Sequence, residues 1–234
     1  MVTLLVQFPA GRYHATPPDN HVNEGQIEWP PSPWRLLRAL LAVGYNTLGW
    51  DAGLETPWTS VPPDAVQGLI LKLAGDLPSY SLPSGLSTHS RHYMPTAALD
   101  KGRERTTLVF DTWARLKGRT LAVTWEAELT DDETRLLADL VSRLSYLGRS
   151  ESWIDARLAG PDDEIPFTNC VPEGELAPPG PGWEQVPLLA PQHPDEYGRW
   201  REAALTSALA PLQPPAGKKP NKTLRQKRAA AAEP

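Results

Sequence analysis

Arginine, histidine and tyrosine side chains spread over the first two thirds of the chain are the groups best equipped for chemistry. The chemistry that suits them is the holding of a ribose-phosphate backbone. Gly11-Arg12-Tyr13-His14 sets a guanidinium beside two rings. Arginine meets a phosphate or a base edge with a planar fork, and tyrosine or histidine stacks on a base. A surface turn around a buried tyrosine is the other reading. Arg35 and Arg38 stand three apart on one face of an otherwise apolar segment. They fall in the first two turns of a predicted helix, where the dipole disfavours cations and free N–H groups attract anions. A bound phosphate or acidic partner explains them, and so does pairing with Glu24 or Glu28 just upstream.

Two later stretches add to this set. His89 to Arg119 holds Arg91, Lys101, Arg103, Arg105, Arg115, Lys117 and Arg119 against Asp100, Glu104 and Asp111, with His92 and Tyr93 among them. Basic residues interleaved with rings suit single-stranded RNA; a solvated charged loop is the plainer explanation. In Gly148-Arg149-Ser150 the glycine allows close backbone approach to a phosphate and the arginine clamps it, or the pair is an ordinary helix cap.

Enzymatic signatures are sparse. The five histidines include His14, His21, His89 and His92, with no His-Glu-x-x-His pair among them. No glycine-rich nucleotide loop, Gly-x-Ser-x-Gly elbow or convincing Cys/His pair is present. No metal and no cofactor is therefore expected. Metal-free RNA cleavage with a histidine as general base is the enzymatic alternative.

The elements that must position these groups read as follows. Thr3 to Phe8 is a strand apolar on both faces, stopped by Pro9 and Gly11. After a polar loop over Arg12 to Glu28, Ser32 caps and Pro33 opens a helix through Val43, with Gly44 as its stop. Pro63 to Gly75 reads as a shorter helix. Ser79 to Leu82 and His89 to Met94 are possible strands, Asp100 to Arg105 a charged loop, and Thr107 to Trp113 a strand. In Thr120 to Glu126, Leu121, Val123 and Trp125 alternate with polar or small neighbours. Thr130 and Glu133 form a capping box ahead of Leu136, Leu137, Leu140, Val141 and Leu144 at helical spacing. Trp153 to Leu158 is a further strand. This order predicts an α+β fold: a ferredoxin-like (RRM-type) antiparallel sheet with two main helices and long proline-rich insertions. Residues 1–160 form the predicted domain and 161–210 a Pro/Gly-rich extension with a helix over Asp195 to Leu209. Residues 211–234 read as a basic linker or tail.

With 234 residues, 40% of them hydrophobic, the chain is long enough for a substantial core. Its formal net charge of −5 rules out a globally basic nucleic-acid protein, so any RNA site depends on local clustering. The single cysteine, Cys170, excludes an intramolecular disulfide. The apolar start lacks a basic leader and no run is long enough to span a bilayer, so a soluble, cytoplasmic protein is expected.

Several stretches carry a family resemblance. They are Phe8-Pro9-Ala10-Gly11-Arg12-Tyr13-His14-Ala15-Thr16, His21-Val22-Asn23-Glu24-Gly25 and Glu28-Trp29-Pro30-Pro31-Ser32-Pro33-Trp34-Arg35-Leu36-Leu37-Arg38-Ala39-Leu40. Arg91-His92-Tyr93-Met94-Pro95 and Tyr146-Leu147-Gly148-Arg149-Ser150-Glu151-Ser152 add to them. Together they resemble the N-terminal, Cas-five-like part of the fused Cas-five/Cas-six subunit of type I-U (I-G) CRISPR surveillance complexes, over roughly residues 1–160. The resemblance implies a module that caps the complex and holds the 5′ handle of the CRISPR RNA. A fused endoribonuclease would be expected beyond it. Partners would be the backbone subunit on the spacer RNA and the large subunit, with target DNA met only indirectly and no membrane. Under this resemblance Arg12, Arg35, Arg38, Arg91, Arg103 and Arg149 would hold phosphates. Tyr13, His14 and His92 would stack on bases or hydrogen-bond to them. No catalytic residue is carried over.

Overall fold

The computed structural model describes residues 1–21, 24–50, 64–100, 102–118, 120–173 and 181–209. The predicted tail over 211–234, Lys101, Arg119 and the predicted helix start at Pro63 lie outside the described residues. In chain order the elements are β1 (Val2–Gln7), β2 (Arg12–Tyr13), α1 (Pro33–Asn46), α2 (Asp64–Gly75), β3 (Ser79–Ser81), β4 (Gly85–Asp100), β5 (Arg103–Leu116), β6 (Thr120–Trp125), α3 (Asp131–Ser142), β7 (Asp155–Leu158) and α4 (Pro194–Leu209).

Four strands make the main sheet in the order β3-β6-β1-β7, and every pairing is antiparallel. The fold is thus α+β, and this strand order is compatible with a ferredoxin-like sheet. The helix-facing side follows from alternation along each strand. Leu4, Val6 and Phe8 from the β1 segment, Leu121, Val123 and Trp125 from β6 and Tyr80 from β3 join one core with Leu36, Leu37 and Leu40 of α1. Leu69 and Leu73 of α2 and Leu137, Leu140 and Val141 of α3 complete it.

Helix ends follow local chemistry. The Ser32 hydroxyl accepts from the Arg35 amide at 3.3 Å, and Pro33 occupies the first turn. Gly44 does not end α1, which runs on to Asn46. Gly44 is a packing position: a Cβ there would collide with the Trp50 ring. At α3 the capping box is complete, with Glu133 N donating to the Thr130 hydroxyl at 3.2 Å and Thr130 N to Glu133 Oε2 at 2.7 Å.

Between β3 and β6 the chain makes a 16-residue strand and a 14-residue strand paired along their length, forming one projecting hairpin. The expected charged loop at Asp100 to Arg105 is therefore strand, apart from the turn at the tip. At its base the hairpin is joined by β2, giving a second sheet in the order β2-β5-β4. Thr112, Ala114 and Leu116 of β5 are buried there, whereas Arg103 to Leu108 are exposed.

The other side of the main sheet is crossed by the segment that follows β7. Asp163 takes both terminal nitrogens of Arg157 at 2.6 Å. The Ser81 hydroxyl donates to the Pro166 carbonyl at 2.6 Å, and Tyr80 and Cys170 form a bridge beside β3. Residues past 160 are thereby fastened to both edges of the sheet. No helix among the described residues is long and apolar enough to cross a membrane.

Candidate nucleic-acid interface

The base of the hairpin brings together residues that are distant in sequence. Arg12 of β2 lies opposite Arg115 of β5, and Tyr13 lies opposite Ala114. Because side chains alternate across a strand, Arg12, Arg115 and Asp111 share one face and Tyr13, Ala114 and Thr112 the other. The second face is core. The first is open, and Arg12 and Arg115 are exposed on it. His92 pairs with Val109 and so belongs to the open face as well.

Asp111 is the centre of this face. Its carboxylate lies 3.7 Å from His92 Nδ1 and 3.5 Å from Arg149 Nη1. Neither approach is a close hydrogen bond of about 2.7–2.9 Å, so the Arg149 guanidinium keeps donors to spare and the His92 ring is not tied down. Arg149 is brought there by its own turn. Its amide donates to the His14 carbonyl at 2.8 Å, and Leu147 N donates to the Ser152 carbonyl at 3.1 Å. Gly148 makes this approach possible: its φ is +86°, and a Cβ would strike the His14 carbonyl and crowd the Tyr13 ring. The glycine thus admits close backbone approach, though to the protein's own β2 segment.

Arg103 sits at the tip of the hairpin opposite Asp100, exposed and on the same alternation as Asp111. Arg91 faces the other way. Its guanidinium lies 5.2 Å from the centre of the Phe110 ring, which also stacks on His89 at 4.8 Å. Arg38 is exposed on α1 and rests over Trp34 at 4.9 Å.

Three of the expected contact residues are committed elsewhere. Tyr13 has no exposed surface and packs against Phe8 and Trp29, at 5.8 and 5.5 Å between ring centres. It has no free face for a base. Burial, reinforced by the nearby Glu28 charge, raises its phenol pKa well above the ordinary value. His14 is 5% exposed. Its Nδ1 meets Glu151 Oε1 at 2.7 Å, and its amide donates to the Ser152 hydroxyl at 2.8 Å. Stacking on a base is closed to it, and its role is to fasten the Arg149 turn. Around Glu151, burial works to raise the carboxyl pKa. Hydrogen bonds from its own backbone and from His14, with the charges of His14 and Arg149, outweigh that and hold it below the usual value.

Arg35 is the clearest correction. Its Nε and Nη2 donate to the two Glu28 oxygens at 2.7 and 3.0 Å, and Nη2 also donates to the Thr16 carbonyl at 3.1 Å. Glu28 is buried, and its Oε1 also accepts from the Ser32 amide at 3.0 Å. The anion expected at the start of α1 is therefore present and is Glu28 itself. The hydrogen bonds to Glu28, opposed by burial, raise the Arg35 pKa further. Arg35 has no fork left for a phosphate.

The open face also holds groups that the spacing of basic residues did not single out. Asp111 reads in the sequence only as a countercharge within a basic run, and Arg115 only as one member of it. Their roles follow from the register of β2, β4 and β5. Glu151 lies in the Gly148-Arg149 stretch, where its pairing with His14 is across 137 residues. No protein-family model and no curated protein matches the chain.

Proposed function

We propose that this chain is an RNA-binding subunit that holds a single-stranded segment of guide RNA along the open face of the β2-β5-β4 sheet. The observation that carries the reading is that Arg12, Arg115 and His92 fall on one face of the β2-β5-β4 sheet, where Arg149 reaches Asp111, in a chain with net charge −5. Arg103 and Arg105 extend the same alternation toward the hairpin tip. A strip of this kind, about 3.4 Å per residue, tracks a phosphate backbone rather than enclosing a small ligand.

The sequence resemblance makes this reading more specific. It suggests the RNA is the 5′ handle of a CRISPR RNA, within a type I-G (I-U) antiviral complex in the cytoplasm. The backbone and large subunits would then be neighbours, and the fused Cas-six-like module would do the processing. An RRM-type sheet is the finer form of the fold in this proposal. RNA on the main sheet's outer face would have to share it with residues 160–170, and for that reason the proposed track is the hairpin. The alternative, a metal-free ribonuclease using His14, has less support because that ring is buried and tied to Glu151.

Labelled repeat RNA mixed with the purified chain tests the proposal. Binding without cleavage is expected, with a slope of log affinity on log salt that falls by roughly 0.7 for each phosphate contact removed. Replacing Arg12, Arg115 and Arg149 together by alanine should flatten that slope. An unchanged slope in the triple variant, or RNA cutting abolished by His14→Ala, would overturn it.

A further inference from the structure

Three residues before Arg149 and four after it, the chain presents two large rings to solvent. Tyr146 and Trp153 are 50% and 63% exposed, although each follows or precedes a buried residue of the core. They are cross-strand partners in an isolated antiparallel bridge. Leu147 N donates to the Ser152 carbonyl and Ile154 N to the Ser145 carbonyl, both at 3.1 Å. That pattern makes Tyr146 and Trp153 a non-hydrogen-bonded pair, the arrangement in which facing side chains come closest. Alternation does the rest: Leu147 and Ile154 turn inward and are buried, and so the two rings turn outward together. Among the described residues neither ring has a recorded aromatic partner, so the π-faces stay available.

The backbone under the rings is rigid. Ser152 has no exposed surface and bonds both to the His14 amide and to its carbonyl. The same turn delivers Arg149 to Asp111. One six-residue turn, Leu147 to Ser152, therefore has a phosphate-seeking guanidinium at its crest and a fixed pair of rings at its foot. We infer that Tyr146 and Trp153 form a stacking platform for an unpaired nucleobase whose phosphate lies against Arg149. The inference rests on the RNA-binding reading and adds to it a contact that carries no charge. A cation and two rings carried by one short turn is the combination that single-stranded nucleic acid uses, in which phosphates meet the basic group and bases meet the aromatic faces. Tyr, Trp and Arg also serve at protein interfaces, and the response to an abasic chain separates that use from base stacking.

The distinction is measurable because stacking and phosphate contacts respond differently to salt. The probes are a fluorescein-labelled single-stranded oligoribonucleotide of mixed sequence and the same length of abasic ribose-phosphate chain. Trp153→Ala and Tyr146→Ala are each expected to weaken oligoribonucleotide binding about five-fold or more, with the salt slope unchanged. Trp153→Phe should recover most of the loss. The abasic chain should bind wild type and both variants equally. Melting temperatures should stay within a few degrees of wild type, since both rings are exposed. If both alanine variants bind the oligoribonucleotide as wild type does while Arg149→Ala weakens it, the platform is refuted and the RNA-binding reading survives; this is also the outcome a protein-docking surface predicts. If wild type binds neither probe, both fall together. A loss of affinity accompanied by a large drop in melting temperature marks the rings as structural and refutes the platform as well.

Discussion

Arg35→Ala is the substitution on which structural and ligand-binding roles of the helix-start arginines diverge most. In the folded protein Glu28 lies beneath the start of α1 with its side chain 3% exposed, while that of Arg35 is 22% exposed. Removing the guanidinium takes away two charge-assisted bonds at 2.7 and 3.0 Å. The carboxylate is left with the Ser32 amide at 3.0 Å and a long contact from the Tyr13 hydroxyl at 3.5 Å. Breaking a buried pair from one side costs about 3–5 kcal/mol, because the remaining charge has lost its counterion without regaining water. The partial exposure of Arg35 places the expectation near the lower end, at about 3 kcal/mol. Arg38→Ala, three residues on, removes only an exposed guanidinium resting on Trp34 at 4.9 Å, worth about 0.5–1 kcal/mol. With a urea dependence of about 1–3 kcal/mol per molar, the unfolding midpoint of Arg35→Ala should fall by about 1 M or more and that of Arg38→Ala by no more than about a third as much. RNA affinity, measured where both variants remain folded, should be unaffected by Arg35→Ala. Equal midpoints for the two variants, or a stable Arg35→Ala protein that has lost RNA affinity and part of its salt slope, would refute this account.

Further predictions follow from the same geometry. Asp111→Asn frees His92 and Arg149 from their shared countercharge; RNA affinity at low salt should rise about two- to five-fold, the worth of exposed ion pairs, as read by fluorescence anisotropy. Gly148→Ala should destabilise by more than about 2 kcal/mol, because left-handed backbone strain adds to a collision with the His14 carbonyl. At Gly102, where φ is +76° and a Cβ meets nothing, the same change should cost only about 1–2 kcal/mol in denaturant titrations. Glu151 has a folded pKa below its unfolded value near 4.5, so its contribution is present above that pH and fades as pH falls toward the folded value. Acid unfolding followed by circular dichroism should therefore lose part of its steepness below pH 4.5 in Glu151→Gln. Thr130→Ala should lower stability by about 1 kcal/mol through the broken capping box.

What the sequence revealed depended on whether a signal was local. The α3 capping box needs only Thr130 and Glu133, and its helix runs where their spacing predicts. Alternation in β6 separated Leu121, Val123 and Trp125 from their neighbours because one side of that strand meets the core. The hairpin was legible only in fragments. Its outer strands are wetted on both faces, so no hydrophobic period marks them, and the polar run at Asp100 to Arg105 reads as a loop. Arg35 had two partners open to it, and burial of Glu28 seven residues upstream decided between them. The fates of Tyr13 and His14 were set by Trp29, Phe8 and Glu151, and in the last case by a contact across 137 residues that no spacing rule reaches.

These corrections sharpen the electrostatic argument. An acidic protein can bind a polyanion only where its cations are free of its own carboxylates. Arg35 fails that condition: its hydrogen bonds to Glu28 are short, multiple and shielded from water. Arg149 meets it in part, since it approaches Asp111 at a distance too long for a strong bond, and Arg12 and Arg115 face each other across a strand pair as like charges. Like charges directly opposite are destabilising in a sheet, so this pairing has a cost in the unliganded protein. A phosphate between them would remove that cost. The Arg12–Arg115 pair should accordingly show the largest gain in thermal stability on RNA binding. Arg115→Ser should raise the melting temperature of the free protein while lowering the increment that RNA adds. If Arg115→Ser leaves both quantities unchanged, the open face is an incidental run of charges and the strip of cations along β5 has no role in binding RNA.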